Sequence, residues 1–138
     1  MDARDLFLFE HALAHSAVVG GNKTSAAENT FGGVTDEQMR VRPREAVNSL
    51  AWLMWHIARA EDIMVNPVVS GHDQVLDGSW LSRLRVTRKD FGIGMSKAEV
   101  TELTGQIDLH ALREHRDAVG RRTRDIVSGF GAEDGTAR

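Results

Sequence analysis

The groups able to do chemistry in this sequence are histidines and carboxylates, because the chain has six histidines and no cysteine. Without thiols there is no disulfide framework, thiolate nucleophile, iron–sulfur cluster or cysteine-type zinc site. His11 and His15 stand four residues apart, one helical turn, close enough to chelate a single divalent ion. The bare pair lacks the glutamate that a zinc-protease motif adds, and it reads as two histidines at the edge of an apolar arc. His56 falls on the apolar face of a second helix, one turn from Trp52 and from Ala60. A buried neutral imidazole needs partners for both nitrogens; one can take a metal, or both can be satisfied by a neighbouring helix or carbonyl. Glu61 and Asp62 lie roughly 140° and 120° around that helix from His56, so they cannot join it on one ion and read as a solvated face. His110 points away from its helix seam, and His115 sits nearer the boundary in a structural role. Arg116 and Thr123 occupy the seam itself. A charge there demands a carboxylate, a carbonyl or another chain, with Glu10, Asp62 and a partner subunit as the available sources.

Helices must position these groups. Leu6, Phe9, Leu13 and Ala17, widened by Phe7, Ala14 and Val18, predict a helix from about residue 3 to 19, stopped by Gly20-Gly21-Asn22. Residues 20–47 read as a long connection with one short helical insert, opened by the capping box Thr35-Asp36-Glu37-Gln38 and stopped by Pro43. Such a length within a compact domain packs over the core or serves a site. Asn48 is a good N-cap for a helix over residues 49–66, its apolar face built from Trp52, Leu53, His56, Ala60 and Ile63; Pro67 ends or kinks it. A short helix falls around residues 79–84. Ser96-Lys97-Ala98-Glu99 opens another, through about Gln106. Asp108 caps a last long helix whose seam is Leu109, Leu112, Arg116, Val119, Thr123, Ile126 and Phe130, a bundle-type heptad. Gly92-Ile93-Gly94 is no phosphate loop, since no strand precedes it and no Lys-Ser/Thr follows. With no convincing strand run, the fold class is all-α, one domain over 1–128 with a frayed tail over 129–138.

Composition narrows the function classes. The chain has 138 residues, is 41% hydrophobic and carries a net charge of −3, which excludes global disorder. The acidic balance argues against a nucleic-acid partner. The most apolar run, residues 46–58, is about half the ~20 residues a bilayer span needs, and the acidic start is unlike a secretory signal. The expectation is a cytoplasmic protein without a membrane partner.

The stretch from Asn48 to Asp62, Asn-Ser-Leu-Ala-Trp-Leu-Met-Trp-His-Ile-Ala-Arg-Ala-Glu-Asp, resembles the second helix of the DinB/YfiT-like superfamily. Thr35 to Pro43 resembles the segment preceding it, and Ile107-Asp108-Leu109 with Gly120-Arg121-Arg122-Thr123-Arg124 resembles the third helix of actinobacterial members. The resemblance implies a four-helix bundle, often dimeric, with zinc or nickel held by three side chains. One is a histidine of the second helix, here His56; the others come from a His-x3-His or Glu-x3-His on a fourth long helix. Characterised relatives include metal-dependent transferases and isomerases of small thiols such as mycothiol. This chain departs from the pattern in that no fourth long helix follows the third, so only His56 carries over. The vacant seam would leave a groove along Leu53, Ile63, Leu112 and Val119 for a partner helix of a homodimer. The leading expectation is a shortened, non-catalytic oligomeric bundle. The alternative is a divalent-metal-dependent thiol transferase or isomerase with His56 as a ligand, and a weaker third is a pocket lined by Trp52, Trp55 and Trp80.

Overall fold

A computed structural model describes residues 1–130. Among them there is helix and no strand, as the periodicities require. The helices are α1 (Ala3–Ala14), α2 (Ala17–Gly20), α3 (Ala26–Phe31), α4 (Asp36–Met39), α5 (Leu50–Ile63), α6 (Gly78–Leu84), α7 (Lys97–Gln106) and α8 (Leu109–Ser128), with a π-helical segment Met64–Ser70 extending α5. No helix is long and apolar enough to cross a membrane among these residues. The tail expected over 129–138 falls mostly outside the described residues; its start is tied down, since Arg4 donates to the Phe130 carbonyl at 2.9 Å.

The axis of the molecule is α5 packed along α8, with α1, α2 and α6 also against α8, and α4 and α7 against α5. α8 buries Leu109, Leu112, Arg116, Val119 and Thr123, the predicted seam. α5 presents a different face from the one expected. Ala51, Trp55, Ala58, Arg59 and Asp62 are fully enclosed, while Leu53 is exposed and His56 and Ile63 are intermediate. The reason is the ion pair on that face. Asp62 accepts from Arg59 (2.9 Å), the Asn66 amide (2.8 Å) and the backbone N–H groups of Val75 (2.8 Å) and Leu76 (2.9 Å). Arg59 reaches on to the Lys89 carbonyl at 2.6 Å and to Gln74. A buried pair is stable when its remaining valences are filled, and here it fastens two connections to α5. The solvated-face reading of Asp62 is thereby corrected.

Three boundaries differ from the pattern. The first helix breaks at His15, whose ψ of 173° is extended, and restarts at Ser16 as α2. Ser49, not Asn48, caps α5. The long connection holds two helices, since Ser25 caps α3 through the Glu28 amide. The connection does pack over the core. Met39 is fully buried, and Arg40 donates to the carbonyls of Thr104 (2.8 Å) and Ile107 (2.9 Å), capping the end of α7. Of the four residues expected to line a groove, Leu112 and Val119 are wholly buried within the chain, whereas Leu53 is exposed and Ile63 intermediate. At Gly92, φ is +95° and a Cβ would lie 2.8 Å from both Trp52 and Trp55, so this turn is built against the tryptophan face.

Candidate metal centre

α1 and its C-cap residue His15 place the rings of His11 and His15 in one stack, with centroids 4.9 Å apart and Phe7 continuing the ladder at 5.7 Å. Both rings turn toward α5, where Glu61 meets them. His11 Nε2 is 3.0 Å from Glu61 Oε2, and His15 Nε2 is 3.5 Å from Oε1. Thr123 of α8 donates its hydroxyl to Oε2 at 2.7 Å. The histidine side chains are 10% and 2% exposed and that of Glu61 17%, so the cluster is sunken but open on one side. Close approach of α1 and α8 depends on a glycine. A Cβ on Gly120 would stand 2.5 Å from His15 Nε2 and 2.6 Å from Cε1.

Burial by itself would push the Glu61 carboxyl up. The imidazoles of His11 and His15 and the Thr123 hydroxyl outweigh it and hold the carboxyl well below the usual carboxylate range. Glu61 is therefore an anion facing two imidazoles. Its reading as a solvated residue is corrected, as is the reading of His15 as a surface or boundary ring.

The second nitrogens fix the tautomers. His15 Nδ1 accepts the Ser16 backbone N–H at 2.9 Å, and Arg124 Nη1 lies 3.3 Å from His11 Nδ1 while donating to the Leu8 carbonyl at 2.9 Å. Because amides and guanidinium groups only donate, both Nδ1 atoms are acceptors, and each neutral ring carries its proton on Nε2, facing Glu61. His15 Nε2 makes no hydrogen bond of good geometry despite full burial. Two imidazoles and an ionised carboxylate are a donor set suited to a divalent transition-metal ion. All three candidate ligand atoms lie within 4.8 Å of one another, close enough to converge on one ion once the side chains draw together. The ligands fit by type and convergence. Ligation at Nε2 would displace its proton and require the bond from the Ser16 amide to rearrange.

His56 stands apart from this cluster. Its Nδ1 is hydrogen-bonded to the Phe91 carbonyl, and its ring is stacked on Trp52 at 4.6 Å and near Phe91 at 5.9 Å. A carbonyl can only accept, so Nδ1 carries the proton and Nε2 is left as the acceptor, the tautomer a metal ligand uses. No pair of histidines or carboxylates gathers with it among the described residues. His115 is fully buried with both nitrogens unpartnered, its ring edge-on to Trp80 at 5.1 Å. Desolvation pushes its pKa down to about 4, so it is a neutral core group. His110 is exposed, paired with Glu114 at 2.8 Å.

The sequence holds a signal for the cluster only in part. The i, i+4 spacing of His11 and His15 was legible; Glu61 was not, because it lies fifty residues from His11 and no periodicity links α1 to α5. A family model described as the DinB superfamily matches residues 23–138, most of the chain. Glu61 and His56 lie inside that span, and His11 and His15 precede it. No curated protein matches the chain.

Proposed function

The chain belongs to the DinB superfamily, and from that premise we propose that it binds a divalent transition-metal ion through His11, His15 and Glu61 and serves small-thiol transfer chemistry. The observation that carries the reading is the convergence of the three candidate ligand atoms, with His15 Nε2 buried and facing the Glu61 carboxylate at 3.5 Å without a hydrogen bond of good geometry. When bound, such an ion stabilises the thiolate of a low-molecular-weight thiol, supplying a nucleophile to a protein without cysteine. The chain's own residues have defined tasks. Glu61 contributes negative charge, Thr123 orients one of its oxygens, and Gly120 leaves room for the His15 ring. His56 becomes a positioning residue of the tryptophan face in this reading rather than a ligand.

The experiment is elemental analysis of the purified protein, followed by zinc and nickel titration with thermal unfolding as readout. A ligand at a hundredfold its dissociation constant adds about 2.7 kcal/mol of stability. We expect one ion per chain, lost in His15→Ala and kept in His56→Ala. Metal-free protein whose stability is indifferent to both ions would sink the proposal, and binding abolished by His56→Ala alone would move the site to α5.

A second reading, a non-catalytic oligomeric bundle, rests on one specific feature. α1 buries no residue and turns Leu6, Phe9 and Leu13 outward at 51%, 54% and 41% exposure. Such an apolar stripe suits a second copy of the chain.

A further inference from the structure

Arg116 occupies a seam position of α8 and is 7% exposed. A guanidinium remains charged at any physiological pH, and an unpaired buried charge is strongly unfavourable. Arg116 nevertheless finds no hydrogen-bond acceptor or ion-pair partner among the described residues, and its Nε is enclosed without one. Burial works against its charge, while the carboxylates of Glu61, Asp117 and Glu28 support it from a distance. Each of those carboxylates is already engaged. Glu61 faces the two histidines, Asp117 Oδ1 accepts the Ser16 hydroxyl at 2.6 Å, and Glu28 Oε2 accepts the Ala17 amide at 2.7 Å.

The same arginine lines a pocket of about 180 Å³ between α2, α3, α5 and α8. Phe31 and Met54 supply an apolar wall, and Ser16, Glu28, Asp117 and a second cation, Arg113, stand at the polar side. That volume equals about six water molecules' share of the liquid, below the range of drug-sized sites.

We propose that this pocket binds a small monocarboxylate, its apolar body against Phe31 and Met54 and its carboxylate on the Arg116 guanidinium. Three observations select this chemistry. The planar fork of a guanidinium matches a carboxylate with two parallel hydrogen bonds. The lining sets two cations, Arg113 and Arg116, against two carboxylates, Glu28 and Asp117, so a singly charged anion meets less repulsion there than a doubly charged phosphate. The apolar wall excludes a bare inorganic anion as the natural occupant. The pocket abuts the metal centre, since Ser16 supplies its backbone N–H to His15 and its hydroxyl to Asp117. The inference goes beyond the proposed metal function and does not require it.

The test uses metal-stripped full-length protein, so its failure and that of the metal reading are separately visible. Butyrate is titrated while the ¹⁵Nε–¹H resonance of Arg116 is followed by NMR, with butylamine and inorganic phosphate as comparisons. We expect saturable movement of that resonance with a millimolar dissociation constant, in line with the weak binding of a six-atom ligand, and little response to butylamine or phosphate. Arg116→Lys keeps the charge and removes the fork, so it should weaken butyrate at least tenfold. An unmoved Arg116 resonance would overturn the proposal without any variant having to fold. Equal binding of phosphate would overturn the choice of a carboxylate, and undiminished butyrate binding by Arg116→Lys would remove the arginine from the site.

Discussion

At the scale of single residues, the charge state of one half-buried and one buried group sets how the fold responds to acid. Glu61 is ionised in the fold and titrates near 4.5 when unfolded. A depressed folded pKa gives stability that is complete above 4.5 and fades as the pH falls toward the folded value. His115 is the reverse kind of group with the same sign. The unfolded ring takes up a proton near 6.5, and the folded ring resists until about 4. Stability is therefore complete above pH 6.5 and falls between 6.5 and 4, by about 3 kcal/mol for a shift of that size. Denaturant unfolding at stepped pH should show both windows. His115→Leu is expected to flatten the upper one and leave the decline below 4.5. Glu61→Gln should remove the lower one, cost about 1–3 kcal/mol at pH 7 by leaving imidazole and hydroxyl donors poorly matched, and abolish metal binding. An unchanged slope between pH 6.5 and 4 in His115→Leu would show that the ring is not the titrating group.

At the scale of elements, helix positions were readable where a local rule acts and obscure where a distant contact decides. Thr35, Ser96 and Asp108 cap their helices as expected, each side chain accepting a backbone N–H three residues on. Ser25-x-x-Glu28 carried the same signal for α3, yet Glu28 spends its side chain on the Ala17 amide rather than on a full capping box. The wrong face of α5 has a comparable cause. Apolarity pointed to Leu53 and Ile63, whereas the Asp62 bonds to Val75 and Leu76 turn the charged pair inward. The break of the first helix follows from His15 Nδ1 accepting the Ser16 amide, an event the alternation of apolar residues does not encode. Glycine substitution distinguishes helix propensity from packing. Gly105 of α7 is exposed with open space around its Cβ direction, so Gly105→Ala should stabilise by about 0.5–1 kcal/mol. Gly120→Ala gains the same propensity but drives a methyl into the His15 ring. A net loss of about 1–3 kcal/mol is expected, together with loss of metal binding. Thermal unfolding of the two variants side by side checks this, and a stabilising Gly120→Ala would mean that α1 can retreat without harm.

At the scale of the whole molecule, α1 is, among the described residues, the one long helix that buries no residue. Its ties to the rest are the His–Glu contacts, Arg124 on the Leu8 carbonyl and Arg4 on the Phe130 carbonyl. By contrast α5 and α8 share Trp55, Ala58, Leu112 and Val119, all fully buried. Local opening free energy follows buried apolar contact, so amides of α1 should exchange with solvent faster than those of α5 and α8. Two agents would slow them selectively. A metal ion on His11, His15 and Glu61 would strap α1 to α5, and a second chain would cover Leu6, Phe9 and Leu13. Their concentration dependences differ, since the first follows zinc and the second follows protein. Hydrogen exchange of α1 is expected to slow with added zinc at fixed protein concentration, and Glu61→Gln should remove that response. If dimerisation also acts, light scattering should give twice 15.2 kDa, and Phe9→Glu should return a monomer whose α1 exchanges faster while α5 and α8 are unaltered. Uniform exchange across α1, α5 and α8 would contradict the assignment of α1 as the separately stabilised element, because only a helix docked by its own contacts can respond to either ligand alone.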